Sequence, residues 1–115
     1  MIAGIVNDDA YGPMVMVGWG GIYAEVLDAA TLAPAPLTPA TARHVLKRLR
    51  GSRLLAGVRG EPPRDVEAVA DFLVRLSHLA WDARDVLAEL DVNPLFVHEA
   101  GAGITVVDAL AIKKS

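Results

Sequence analysis

Three candidate metal-ligating side chains lie in the C-terminal part of this 115-residue chain, within segments whose composition is otherwise typical of buried β-strands. Asp91 and Asn93 interrupt the stretch 89–95, and Asp108 ends the stretch 104–108. Mg²⁺ prefers oxygen ligands, usually one or two carboxylates, and completes its coordination shell with water and phosphate oxygens. These residue types therefore indicate a metal site on the face of a sheet.

A hairpin would bring the three side chains together. If Val97 pairs with Ile104 across the glycine-rich turn between them, the same register places Asn93 opposite Asp108, and a displaced turn makes them diagonal neighbours. Opposed side chains lie ~5 Å apart at Cβ and diagonal ones ~7 Å apart, so both arrangements allow a shared ion. Asp91, two residues before Asn93, points to the same face. The spacing alone leaves open that Asp91 and Asn93 only face solvent and that Asp108 only ends a strand.

The elements that must position these residues are short strands and two helices. One helix is predicted from a cap at Thr38 to about Arg50, and a second helix is predicted to begin at 63–65. Between them, residues 54–64 are predicted to form an ordered loop. Two prolines restrict 32–37 to an edge strand or an extended connector. The order of elements predicts one α+β domain, an antiparallel β-sheet with two helices packed on one face. The remaining strands are predicted at 2–6, 14–17, 22–27, 88–98 and 104–109.

The composition excludes several classes of protein. A formal net charge of −3 without a basic patch argues against general nucleic-acid binding. The absence of cysteine excludes disulfides and thiolate metal sites, and no apolar run approaches the ~20 residues that cross a bilayer. A soluble, cytoplasmic protein with neither a membrane nor a nucleic-acid partner is expected.

Three segments, 12–25, 57–63 and 89–95, together resemble the ATP-grasp domain of the NDP-forming acyl-CoA synthetases. This is the acetate–CoA ligase (ADP-forming) family, which is related to succinate–CoA ligase. The motifs occur in the family's order and span nearly the whole chain. The resemblance implies that residues 1–115 are the carboxy-terminal subdomain of an ATP-grasp domain, a fragment of a longer protein whose lysine-bearing half of the nucleotide site precedes it.

The resemblance also implies roles for the three oxygen-bearing residues. Asn93 and Asp108 match the positions that hold Mg²⁺ on the phosphates of ATP or ADP. Asp91 matches the carboxylate of a Glu/Asp-x-Asn motif, which touches the metal or assists phosphoryl transfer to a histidine. The family interconverts acyl-CoA, ADP and phosphate with a carboxylic acid, CoA and ATP. Its phosphohistidine comes from another part of the enzyme, so CoA-binding and phosphohistidine domains are the expected partners.

Two further residues are predicted to contact the nucleotide. Arg59 lies in a loop between two glycines, where a guanidinium can bind phosphate in a bidentate way. The residues alone leave open an ordinary loop arginine paired with Glu61 or Asp65, whereas the family motif favours a phosphate-binding and catalytic role. Glu25, in the strand predicted after a glycine-rich turn, is a candidate for the cofactor site, although a solvated strand position is the alternative.

Other functions stay open at this stage. A synthetase-like domain of this kind also occurs as a regulatory, non-catalytic part of a protein acyltransferase, and a plain interaction module is a third possibility. The presence of Asp91, Asn93 and Asp108 together favours a working site. With half of that site missing, the isolated chain is expected to be inactive. An exposed edge at 2–6 and an uncovered sheet face predict self-association of the fragment.

Overall fold

A five-stranded antiparallel sheet forms the centre of the part of the molecule that the structure describes, in the order β3-β2-β1-β4-β7. A computed structural model describes residues 1–20 and 30–115 of the chain. A separate two-stranded sheet pairs β5 with β6. The strands are β1 (Ile2–Asp8), β2 (Gly12–Gly18), β3 (Ala30–Pro34), β4 (Leu87–Val92), β5 (Leu95–Val97), β6 (Ile104–Val106) and β7 (Ala109–Lys113).

Within the described residues, two α-helices pack on one face of this sheet, as predicted, and each begins at a side-chain cap. Helix α1 (Pro39–Arg48) follows Thr38, whose hydroxyl accepts a hydrogen bond from the backbone N–H of Thr41 at 3.2 Å. Helix α2 (Val66–Asp82) follows Asp65, whose carboxylate accepts from the backbone of the first turn. Neither helix, among the residues the structure describes, combines the length and apolarity needed to cross a bilayer.

The core lies between the helices and one face of the sheet. Strand side chains alternate between faces, so every second residue of β1 and β2 enters the core. Ile5 and Val17 are at most 1% exposed there and pack in one cluster with Leu73 of α2, which is fully buried. The opposite face of the sheet is not covered by either helix.

The last four strands form one long hairpin that is interrupted once. The register Val97↔Ile104 and Leu95↔Val106 in β5–β6 is the predicted one, and Val92↔Ala109 continues it in β4–β7. The predicted strands 88–98 and 104–109 are each split in two, because Pro94 has no N–H for the ladder. The pairing is confirmed, whereas the unbroken strands are wrong.

Four other predictions have different outcomes: one is wrong, one differs in part, one is confirmed, and one lies outside the described residues. The exposed edge expected at 2–6 is wrong, since β1 pairs with both β2 and β4. The predicted loop at 54–64 begins inside a short 3-10 helix, Ser52–Ala56. The edge strand predicted around 32–37 is present as β3, while the strand predicted at 22–27 lies outside the described residues.

Candidate functional site

Asp91 lies on the face of the sheet that neither helix covers, which is called the open face below. It is the register partner of Gly4 in β1 and of Leu110 in β7. Directly opposed residues of an antiparallel pair share a face, and Asp91 is exposed while its neighbour Val92 enters the core at 3% exposure. The strand therefore presents this carboxylate to the side that no described helix covers.

Asn93 and Asp108 lie opposite each other, next to Asp91. The backbone N–H of Asn93 donates to the carbonyl oxygen of Asp108 at 3.0 Å, which extends the β4–β7 register by one pair. Both side chains are exposed. One carboxylate oxygen of Asp108 accepts from the N–H of Ala109 at 2.9 Å, which orients the group. The predicted pairing is thus confirmed, and the ligand role of the three side chains stays a prediction.

The donor set of these three residues is suited to a partly open magnesium site. It consists of two carboxylates and one amide oxygen, all of which are hard ligands. No group of three or more His, Cys, Asp or Glu side chains able to hold a metal occurs within residues 1–20 and 30–115. Two carboxylates and one amide oxygen match an ion that keeps several water or phosphate ligands, which is the usual state of Mg²⁺.

A pocket of about 880 Å³ adjoins this group. Trp19, Leu55 and Leu95 supply a buried apolar wall, and Gly20 is the lining residue next to Asn93. A Cβ atom on Gly20 would lie 4.0 Å from the side-chain oxygen of Asn93. The polar and charged lining consists of Arg59, Glu61, Arg64 and His98.

Arg59 occupies a tight turn at the mouth of this pocket. The N–H of Glu61 donates to the carbonyl oxygen of Val58 at 3.1 Å, and the two residues between them have positive φ, 55° at Arg59 and 79° at Gly60. A positive φ is uncommon for a residue other than glycine and costs about 1 kcal/mol or more, so such positions often belong to functional loops. The turn holds Arg59 at the pocket with its side chain exposed.

The alternative ion pairs for Arg59 are not the ones observed. Glu61 contacts Arg64 instead, at 3.5 Å, and the carboxylate of Asp65 accepts backbone N–H groups. Among the described parts of the chain, Arg59 has neither a hydrogen-bond nor an ion-pair partner. Its guanidinium is therefore available to an anion.

Gly57 closes the base of the same loop. Its φ is 85°, and a Cβ atom there would collide with the carbonyl oxygen of Glu61. The backbone on either side of Arg59 is thus in direct contact, which leaves the loop little freedom to reorient. Only glycine satisfies both requirements.

Asp65 is a site-supporting residue that the sequence reasoning did not identify as such. Its carboxylate accepts from the N–H groups of Gly103 at 2.8 Å, Ala68 at 3.1 Å and Gly101 at 3.1 Å. These backbone hydrogen bonds, above all that of Gly103, hold the pKa of the Asp65 carboxyl below its ordinary value. The aspartate before a helix signals a cap, but nothing local in the sequence signals the two bonds to the hairpin turn.

The same junction joins the Arg59 loop to the hairpin through the backbone. The N–H of Asp65 donates to the carbonyl oxygen of His98 at 2.8 Å, and Ala100 donates to that of Pro63 at 3.0 Å. The structure thereby fixes Arg59 relative to the hairpin that carries Asn93 and Asp108. Glu25, the other predicted cofactor-binding residue, lies outside the described residues.

Comparison with known proteins places this geometry in a family. Residues 1–112 match the family model described as the ATP-grasp domain. The chain is 40% identical over 114 residues to the acetate–CoA ligase (ADP-forming) II subunit beta of Pyrococcus furiosus. The match covers 99% of this chain and 48% of that subunit, so the chain spans about half the length of this relative.

Solved structures give the same result. The crystal structure of PH1788 from Pyrococcus horikoshii Ot3 superposes with a TM-score of 0.91 at 35% identity, over 98% of this chain and 47% of that one. A second match is dinucleotide-forming acetyl-coenzyme A synthetase 1 of Ca. Korarchaeum cryptofilum, with a TM-score of 0.88 at 35% identity, over 98% and 52%. That structure is a complex with coenzyme A and Mg-AMPPCP, and its phosphohistidine segment points towards the nucleotide-binding site.

Proposed function

The chain belongs to the ATP-grasp domain family, and we propose that it supplies the Mg²⁺- and phosphate-binding half of the nucleotide site of an ADP-forming acyl-CoA synthetase. The observation that carries the proposal is the position of Asp91, Asn93 and Asp108 on one open sheet face, beside the pocket that Arg59 lines. A solved relative of the same fold is a complex with Mg-AMPPCP.

Asn93 and Asp108 are the residues that would hold the metal. Their backbones are hydrogen bonded to each other, so the amide oxygen and the carboxylate are carried by one rigid pair rather than by two independent loops. The ion, when bound, neutralises phosphate charge and orients the phosphates for in-line transfer. Two protein ligands leave most of the coordination shell for phosphate oxygens and water.

Asp91 has a second role in the proposal. Its carboxylate lies two residues before Asn93 on the same face, and it accepts no hydrogen bond from the described residues. It is free to contact the metal or to accept the N–H of an incoming imidazole, which would orient the ring that receives the phosphoryl group. That histidine belongs to another segment of the enzyme, as in the Korarchaeum relative with its phosphohistidine segment.

Arg59 would bind the phosphate end of the nucleotide. It lines the pocket, lacks a described partner and sits in a turn that its neighbours hold in place. A planar guanidinium can donate to two phosphate oxygens at once, so it orients the phosphate group and also neutralises part of its charge. We assign Glu25 to the same nucleotide site on the family resemblance alone.

The proposed reaction of the whole enzyme is the interconversion of acyl-CoA, ADP and phosphate with a carboxylic acid, CoA and ATP. Because this chain spans about half of its Pyrococcus furiosus relative, it would act with the remaining half of the nucleotide site and with CoA-binding and phosphohistidine domains. The chain alone is proposed to bind nucleotide weakly and to have no turnover.

Calorimetry on a chimera tests the proposal. The chimera joins this chain to the part of the Pyrococcus furiosus subunit that the chain does not span, and ADP is titrated with and without Mg²⁺. Mg²⁺-dependent ADP binding is expected, and Asn93→Ala should weaken it by about 100-fold if a metal ligand is lost.

Glu89→Ala is the matched control, because Glu89 lies on the same face of β4 opposite Val6 and is not assigned to the site. Equal effects of both substitutions, or ADP binding that ignores Mg²⁺, would contradict the proposal. Failure of the wild-type chimera to bind ADP under any condition would favour an interaction module.

A further inference from the structure

The two edges of the five-stranded sheet are protected very differently. At one edge, β3 contains Pro34, and Pro36 follows it closely. Proline has no N–H and prevents another strand from pairing there. At the other edge, β7 contains neither proline nor glycine, and it pairs with β4 alone among the described strands.

The β7 edge also exposes large apolar side chains. All five residues of β7 are exposed, with Leu110 at 62% and Ile112 at 46%. Both side chains lie on the open face, because their register partners are Asp91 and Glu89. An unprotected edge strand with exposed apolar side chains is a surface for strand addition.

The backbone hydrogen bonds show which groups of β7 are available. The carbonyl oxygen of Asp108 accepts from Asn93, and the N–H of Lys114 donates to the carbonyl oxygen of Val86. Alternate residues of an antiparallel strand face opposite neighbours. The residues between these two bonds that direct their N–H and C=O groups away from β4 are therefore Ala109, Ala111 and Lys113.

This edge is complementary to itself in one register. When two copies of β7 run antiparallel about Ala111, its outward groups pair with those of Ala111 in the second copy. On the open face, Leu110 then meets Ile112 of the partner subunit, and Asp108 meets Lys114 of the partner subunit. The twofold axis produces each pair twice, so two apolar and two opposite-charge pairs form.

The neighbouring registers lack this match. A shift of two residues in one direction places Asp108 opposite Ile112 of the partner subunit, and a shift in the other direction places Leu110 opposite Lys114 of the partner subunit. Each shift therefore pairs a charged side chain with an apolar one. We propose that β7 is a homodimerisation edge and that its occupant is β7 of a second copy of this chain, in the register centred on Ala111. The dimer would form one continuous ten-stranded sheet. It shares Asp108 with the proposed metal site, but it needs no bound nucleotide.

Sedimentation velocity over a range of concentrations tests the inference. The wild-type chain is expected to sediment with an apparent mass of twice the 12.2 kDa of one chain. Ala111→Pro removes an N–H that points away from β4, so it should leave the monomer folded by circular dichroism and weaken the dimer more than about tenfold. A wild-type chain that is monomeric throughout, or a folded Ala111→Pro variant that dimerises normally, overturns the proposal.

A charge pair tests the register. Lys114→Glu places a carboxylate opposite Asp108 of the partner subunit in both symmetric pairs, and it should weaken the dimer about tenfold. Lys113→Glu makes the same change in net charge, but this side chain lies on the other face, opposite Ala109 of the partner subunit. Equal effects of the two substitutions would contradict the proposed register.

A designed cross-link gives an independent readout, because the chain has no cysteine. Opposed residues of a hydrogen-bonded antiparallel pair have Cα atoms ~5.5 Å apart, within the range of a disulfide. Ala111→Cys should therefore cross-link into a covalent dimer under mild oxidation. Thr31→Cys, on the proline-protected edge strand β3, is the control, and equal cross-linking of both variants contradicts the assignment.

Discussion

The two faces of the sheet differ in what covers them, and β4 contributes to both. Val92 enters the core beneath the helices at 3% exposure, while Asp91 and Asn93 on either side of it are exposed on the open face. Side chains alternate along a strand, so one short segment can stabilise the fold with one residue and present ligands with the next. Stability and ligand binding should therefore be separable by substitutions on opposite faces.

The largest expected effect on stability is on the covered face. Ile5 is 1% exposed in the core, and Ile5→Ala should lower the free energy of unfolding by about 2–5 kcal/mol, through lost burial and a cavity. Urea unfolding followed by circular dichroism measures the change. Asp91→Ala on the open face is the comparison and should change the stability by less than ~0.5 kcal/mol. Similar losses from both substitutions would remove the distinction between the faces.

Asp108 gives a large expected effect on binding. Asp108→Asn retains the shape of the side chain but removes the charge, and it should weaken Mg²⁺-dependent ADP binding by about 10- to 100-fold, the range typical of losing even an outer-shell partner of a metal. Calorimetry of the chimera measures the affinity, and urea unfolding should show nearly unchanged stability. A variant that loses stability while retaining Mg²⁺-dependent binding would show that Asp108 acts in the fold alone.

Substitution of Arg59 should have an intermediate effect on ADP affinity. It separates the contribution of the positive charge from that of the guanidinium geometry. Arg59→Lys keeps the positive charge but loses the bidentate fork, so ADP affinity should fall by about tenfold, roughly 1.4 kcal/mol. Arg53→Lys makes the same chemical change at an exposed residue of the 3-10 helix that does not line the pocket. If the two substitutions have equal effects on ADP affinity, Arg59 does not bind phosphate.

The smallest effect is expected at Asp65, which joins the two halves of the site. Hydrogen bonds lower its pKa in the folded state, so its contribution to stability is present above the unfolded-state pKa of ~3.9 and is lost as the pH falls through the lower folded value. Asp65→Asn should therefore be less stable than wild type at pH 7, and the difference should shrink below about pH 4. Urea unfolding at several pH values measures it.

Asp85→Asn is the control for Asp65, because Asp85 is exposed and accepts no hydrogen bond from the described residues. It should leave the stability at pH 7 within about 0.5 kcal/mol of that of the wild type. A stability difference for Asp65→Asn that is the same at pH 7 and below pH 4 would contradict a role for the ionised carboxylate.

The sequence predicted the local features of the fold well. The glycine-rich turn and the apolar residues around it set the pairing of Val97 with Ile104, and that register places Asn93 opposite Asp108 as observed. Capping residues and apolar stripes located the two helices to within a few residues. The interruption of the hairpin at Pro94 was missed, although the missing N–H of proline is visible in the sequence.

Contacts between distant segments could not be predicted in the same way. The central position of β1 depends on its pairing with β4, and two-residue periodicity does not identify the partner of a strand. The same holds for Asp65, whose hairpin partners Gly101 and Gly103 are more than thirty residues away. The position of Arg59 relative to the metal candidates depends on these long-range bonds.

Paramagnetic NMR tests the central claim most directly, namely that Asp91, Asn93 and Asp108 share one divalent ion. Mn²⁺ in place of Mg²⁺, added in small amounts with ADP, broadens backbone amide signals near the bound ion even when binding is weak. The predicted result is broadening around 91–93 and 107–109 that extends to Gly20 and is lost in Asn93→Ala. Broadening centred on another acidic surface, such as Asp82 and Asp85, with these signals unchanged, would contradict the account.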